Sequence, residues 1–341
     1  MSLKKIGETG LKNWVDDMLE TTSVIAPQPK EDRFNFAPLS DASKLRLDYD
    51  VSLTPPNKVC FQPPEEVLAR FEGAEYDSVF DEDPFVLFGV HPYDMVAINQ
   101  MDEIFSMDNY DEHYMRRREA ATIVALDVES VSENVFAGGM GTATVDEGFD
   151  VLLTRVDDGY IVDARTEKGE ELVEGIGDAP EPSDADLAAR EQVWEENNQN
   201  LRQHELKWTP EELPELLEKS HEHPVWAEKA ELCFYCGSCT NTCPTCYCFD
   251  VEEDVDYDLE SGERTRSWDG CQLVAFARVA GGHNFREEPA QRYRHRYYRK
   301  GKYVPDMIGE CACVGCGRCI TACVANIADP PEVFNRLKED E

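Results

Sequence analysis

Apolar positions along the first half of the chain follow two different periods. In Leu11-Lys-Asn-Trp-Val-Asp-Asp-Met-Leu19 they fall three and four residues apart, the spacing of one helix face. From Tyr93 to Phe105 the same spacing turns Met95, Ile98, Met101 and Ile104 or Phe105 inward. Between these lie short apolar runs of strand length. Ser23-Val-Ile-Ala-Pro27 reads as a strand stopped by proline, Pro84–Val90 as a buried strand broken by His91-Pro92, and Ala121–Leu126 as another buried strand. Phe149–Arg155 and Tyr160–Arg165 flank Asp158-Gly159, a hairpin signal. Residues 1–175 therefore predict a mixed α/β domain.

The pattern then changes. Gly175 to Ser183 is rich in Gly and Pro and reads as a linker. Ser183 can cap a polar helix from Asp184 to about Lys207. Thr209-Pro210-Glu211-Glu212 has the form of a capping box with proline at N1, so a further helix runs through Glu218. Residues 176–220 are a linker with helices, and 221–341 form a third unit.

That unit holds most of the chemistry. Cys233-x2-Cys236-x2-Cys239-x3-Cys243 is followed by Pro244, and Cys313-x2-Cys316-x2-Cys319-x3-Cys323 repeats the spacing. This is the bacterial-ferredoxin spacing for [4Fe–4S] clusters, in which the fourth cysteine ligates the other cluster. The crossed rule assigns Cys233, Cys236, Cys239 and Cys323 to one cluster. It assigns Cys313, Cys316, Cys319 and Cys243 to the second. A third cysteine in each run is surplus to a zinc knuckle. Val324 stands where the first run has proline. About 70 residues separate Cys243 from Cys313, and with the helical surroundings they favour an α-helical ferredoxin arrangement carrying an insertion. The fold class expected is α+β.

Five of the 13 cysteines remain. Cys246, Cys248, Cys271 and Cys311 could hold a third cluster or form a redox disulfide; the alternative is small apolar residues packed beside the clusters. Cys60 reads as a core residue. His221, His223, His283 and His295 could tune clusters or shuttle protons, though each also suits an ordinary surface or core role. Neither a Walker loop nor a strand-linked GxGxxG occurs, and Gly139-Met-Gly141 and Gly281-Gly282 are too short to claim a nucleotide.

Charge and composition narrow the class. The 341 residues carry 33 Lys and Arg against 70 Asp and Glu, a net charge of −37, which disfavours nucleic acid as partner. No run of about 18 apolar residues is present, so membrane insertion is not expected. Reduced thiolates and the absence of an apolar segment behind Met1 suit the cytoplasm. One stretch is basic: Arg286, Arg292, Arg294, Arg296, Arg299, Lys300 and Lys302 face only Glu287 and Glu288. It could be a docking surface, a solvated helix face or an offset to cluster charge.

Several stretches resemble a known family. Cys243-Pro-Thr-Cys-Tyr-Cys-Phe-Asp250, Arg264-Thr-Arg-Ser-Trp-Asp-Gly-Cys271, Ala280-Gly-Gly-His-Asn-Phe-Arg286, Arg292-Tyr-Arg-His-Arg296 and Cys313-Val-Gly-Cys-Gly-Arg-Cys319 are similar to the β subunit of cytosolic NiFe sulfhydrogenases. They equally resemble the corresponding iron–sulfur subunit of anaerobic sulfite reductase. Gly89-Val-His-Pro-Tyr-Asp-Met95, Asp111-Glu-His-Tyr114 and Arg116-Arg-Arg118 extend the likeness to the N-terminal half. The resemblance implies an electron-transfer subunit with two [4Fe–4S] clusters in a cytosolic anaerobic complex. It would relay electrons between a flavin subunit reacting with NAD(P)H, or ferredoxin, and a catalytic hydrogenase or reductase subunit. The alternative is a catalytic subunit that reduces sulfite or another sulfur compound through a cluster or reactive thiols. One departure stands out. Relatives carry N-domain cysteines including Cys-Phe-Cys, whereas Ala125 to Ala137 has none here and Tyr93 replaces a common cysteine. The N-terminal domain is therefore expected to dock rather than to transfer electrons.

Overall fold

Residues 2–157 and 159–341 are described by a computed structural model. The N-terminal half is built on a seven-stranded mixed sheet, ordered β1-β9-β8-β7-β6-β2-β3. The strands are β1 (Leu3–Gly7), β2 (Ser23–Lys30), β3 (Arg33–Pro38), β6 (Phe85–Val90), β7 (Ala121–Leu126), β8 (Val151–Val156) and β9 (Gly159–Ala164). The central pairs β2–β6, β6–β7 and β7–β8 are parallel, and the flanking pairs are antiparallel. Parallel strands need cover on both faces, which is why β6 and β7 are near-continuous apolar runs. The helix Glu8–Thr21 supplies part of that cover with Leu11, Trp14, Val15 and Met18. Met95, Ile98, Met101 and Phe105 do the same from the helix Pro92–Ser106, while Ile104 is only partly buried.

Two expectations need correction. β2 does not stop at Pro27 but runs to Lys30. Beyond Ile25 it pairs only with β3, and a strand free on one side tolerates residues that lack an N–H. The polar helix starts at Asp184, capped by Ser183 with Asp186 reciprocating, but ends at Asn200 rather than near Lys207. There the chain bonds across to a neighbouring loop: Gly138 donates to the Leu201 carbonyl (2.9 Å) and Gln203 to that of Val135 (2.9 Å). Asp158 of the expected hairpin turn lies outside the described residues, but β8 and β9 do pair antiparallel around it. Thr209 and Glu212 form the capping box, followed by the helix Leu213–Lys219.

A second sheet joins distant parts of the chain. β4 (Glu65–Glu72) and β5 (Glu75–Ser78) pair with β10 (Phe249–Val255) and β11 (Ser261–Trp268) in the order β10-β11-β4-β5. The insertion between the cysteine runs therefore contributes a β-hairpin that N-terminal strands complete, followed by the helix Pro289–Tyr298. Its anchor is a buried ionic cluster. Glu66 accepts from Arg117 (2.5 Å) and Arg266 (2.6 Å), and Arg266 also reaches Asp111. Among the described residues no helix is long and apolar enough to cross a membrane.

Candidate iron–sulfur centres

Both cysteine runs fold the same way locally. In the first, Tyr235 (φ 53°) and Gly237 (φ 74°) are left-handed, and a single helical turn, Ser238–Asn241, follows. In the second, Gly315 (φ 68°) and Gly317 (φ 76°) take those places before the turn Arg318–Thr321. Left-handed residues on alternate positions curl the chain so that successive cysteines face inward. Amides follow them: Tyr235 N–H points to Cys233 Sγ (3.4 Å) and Ile327 N–H to Cys323 Sγ (3.4 Å). Such donors stabilise thiolate sulfur.

Two cavities result. One is lined by Cys233, Cys236, Cys239 and Cys323, with Gln272 and Tyr293. The other is lined by Cys243, Cys313, Cys316 and Cys319, with Arg296 and Lys300. Each cavity thus collects three cysteines from one run and the fourth from the other. Among the described residues no group of three or more His, Cys, Asp or Glu is placed to hold a single metal ion. Four thiols around one hollow fit a cubane, whose four iron corners each take one thiolate.

The four remaining cysteines of this unit line neither cavity. Cys271 lies within electrostatic reach of Cys246 and Cys248, and Cys246 hydrogen-bonds the Cys243 sulfur as a free thiol. Cys311 Sγ contacts the Lys300 carbonyl (3.5 Å). Cys60 is buried in the core of the N-terminal domain. His221, His223, His283 and His295 line neither cavity.

The electrostatics differ between the two sites. Hydrogen bonds from Ser238 hold the exposed Cys236 thiol below its usual range. Burial pushes Cys239 and Cys316 up to about 12. Unloaded, those two thiols are protonated, so loading with iron must release protons. Cys243 is held well below the thiol range by its hydrogen bond with Cys246, helped by the Lys300 ammonium.

The basic stretch is not chiefly a surface. Arg292, Arg296 and Lys300 recur every four residues and are buried against the cysteine loops. Arg292 donates to the carbonyls of Arg286 (2.9 Å) and Glu287 (2.6 Å), and Lys300 Nζ donates to Thr245 Oγ1 (2.6 Å). A count of charge along the chain cannot separate this inward stripe from its outward neighbours, although the four-residue recurrence is a signal that could have found it.

The second run is keyed into the N-terminal domain. Arg318, between Cys316 and Cys319, makes a bidentate pair with buried Asp94 (2.6 Å for both bonds). It also donates to Ser52 O (2.8 Å) and Ser52 Oγ (2.9 Å). Phe136 N–H donates to Gly315 O (2.7 Å), and Thr142 Oγ1 to Val314 O (2.7 Å). Asp94 follows the carboxyl end of the parallel strand β6, and Phe136 and Thr142 follow that of β7, the edge where open α/β sheets commonly bind ligands. In the sequence Arg318 and Asp94 stand in separate motifs, and nothing local pairs them.

Comparison with known proteins agrees with this geometry. A 4Fe-4S dicluster domain model matches residues 232–327, the span of both runs. Sulfhydrogenase 2 subunit beta of Pyrococcus furiosus is 33% identical over 328 residues, covering 94% of this chain and 93% of the relative. The chain belongs to the sulfhydrogenase beta subunit family. No solved structure matches it. In this beta-subunit homologue the dicluster match spans both cavities and the β-hairpin between the runs.

Proposed function

We propose that the protein is the iron–sulfur electron-transfer subunit of a cytoplasmic anaerobic complex. It passes electrons between a flavin-containing subunit that reacts with NAD(P)H, or ferredoxin, and a catalytic hydrogenase or reductase subunit. The observation that carries this reading is the pair of four-cysteine cavities. In it, Cys233, Cys236, Cys239 and Cys323 hold one cluster, and Cys243, Cys313, Cys316 and Cys319 hold the other. A bound cubane supplies a reversible one-electron store. The chain's own residues then have distinct tasks. The left-handed turns orient the thiolates, and the amides on Cys233 and Cys323 stabilise them. The N-terminal domain excludes water from the second site through Asp94, Phe136 and Thr142.

Electrons exchange with a partner at the first run. Cys236 is exposed there, and the apolar side chains of Leu232, Phe234 and Val324 surround it in the open. An exposed apolar rim of this kind marks an interaction site.

The test is an anaerobic preparation of the full chain, analysed for iron and acid-labile sulfide and titrated with EPR detection. About eight irons per chain, from two cubanes of four, and two reducible signals are expected. No turnover is expected with NAD(P)H, polysulfide or sulfite; turnover by the isolated chain would instead establish the catalytic alternative. Cys239→Ala should remove or convert one cluster. Joint replacement of Cys246, Cys248 and Cys271 should leave the iron content intact, and a fall of about four irons would reveal a third cluster.

A further inference from the structure

The helix Pro289–Tyr298 and the turn after it run between the two cysteine cavities, and two of their cations are unusual. Arg296 is 3% exposed and Lys300 7%. Among the described residues neither has a carboxylate within ion-pair distance. The Arg296 Nε is buried with no hydrogen-bond partner. Desolvating a guanidinium is costly unless an anion compensates it. Arg296 faces Cys239 of the first run, Cys319 and Cys243 at the second cavity, and the phenol of Tyr297, so thiols of both sites are its neighbours. The Cys319 sulfur accepts a hydrogen bond from it. Lys300 faces Cys243, Cys246 and Cys313, all on the second-cavity side. Arg318, by contrast, is fully matched by Asp94 and Ser52.

We propose that Arg296 is a shared fixed charge that raises the reduction potentials of both clusters, and that Lys300 raises that of the second cluster alone. This rests on the two-cluster reading above. Each reduction adds one electron and no proton. A nearby cation in a low-dielectric interior therefore favours the reduced state over the oxidised one. Because Arg296 lines the second cavity and also faces Cys239 of the first, its effect is common to them. Lys300, one turn further on, makes the pair unequal. Both are positioning residues that act through the cluster environment rather than on a substrate.

The experiment is an EPR-monitored redox titration of the full chain with dithionite, alongside iron analysis. It compares wild type, Arg296→Gln, Arg296→Lys and Lys300→Gln. Arg296→Gln with full iron should shift both reduction equilibria about tenfold toward the oxidised form, about 59 mV for one electron. Arg296→Lys should restore most of that shift. Lys300→Gln should shift only the signal that Cys316→Ala abolishes. Unmoved potentials in Arg296→Gln with full iron overturn the proposal, as does an equal shift of both signals in Lys300→Gln. Should Arg296→Gln lose iron, recovery of loading in Arg296→Lys supports the role of charge. Equal loss in both variants makes Arg296 a packing residue and overturns it. A wild-type chain without two reducible clusters would instead sink the underlying functional reading.

Discussion

The two cysteine runs have the same spacing and the same left-handed turns, yet they live in opposite surroundings. Phe234 of the first run is 70% exposed, and its counterpart Val314 in the second is 2% exposed. Ser238 stands in the first run where Arg318 stands in the second. The serine only bonds its own loop, whereas the arginine ties its loop to Asp94 and Ser52 of another domain. A Cβ on Gly237 would meet the flexible Leu273 side chain at 3.3 Å and the Asn241 side chain at 3.8 Å, while one on Gly317 would overlap the Asn134 carbonyl. Spacing thus determines how thiols converge, and packing determines what that convergence is exposed to. Because exposure and nearby charge set cluster potentials, the proposed function makes two unequal electron sites of two equal motifs.

The sharpest way to break this contrast is to remove one ligand from each run. Cys316→Ala should lose about four irons and lower the thermal midpoint of the whole chain, because its loop is wedged against the N-terminal domain. Cys236→Ala should lose the same iron with little change in that midpoint. Equal destabilisation, measured by calorimetry under anaerobic conditions, would show that the two sites are embedded alike.

Arg318→Leu strands the buried Asp94 carboxylate and should cost about 3–5 kcal/mol in denaturant unfolding. The matching change Ser238→Ala, at a partly exposed position, should stay within about 0.5 kcal/mol. Glycine replacements come next. Gly237→Ala should cost roughly 1–2 kcal/mol for its left-handed backbone. Gly317→Ala should cost clearly more, because the clash with Asn134 adds to the same strain. If the two match, the second loop has room that its packing does not suggest. The smallest expected effect on stability is from Phe234→Ser, within about 0.5 kcal/mol. It should nonetheless slow electron exchange with the partner subunit in stopped-flow experiments, and an unchanged rate would move the exchange point away from the first run.

Parts of this molecule are legible in its sequence. The β6 and β7 runs, the helix after His91-Pro92 and the capping boxes at Ser183 and Thr209 all rest on local patterns, and they form where the pattern lies. The β-hairpin between the runs is not legible in that way. β10 is an exposed edge strand whose four acidic residues among seven carry little burial signal, and it is ordered by pairing with β11, itself paired to β4 far away in sequence. The basic stretch reads as one patch along the chain because net charge has no direction; the helix divides it into cations turned toward the cysteines and cations turned toward solvent.

By itself the sequence determined the cysteine spacing, and with it the class of cofactor, since the geometry of one run over eleven residues is a local property. It also determined the buried core strands β6 and β7, because burial on both faces demands continuous apolar runs. Only the tertiary structure decided which run is covered, which cations face the thiols, and that Asp94 answers Arg318 across 224 residues. Those outcomes depend on which distant surfaces meet, and no local period records that.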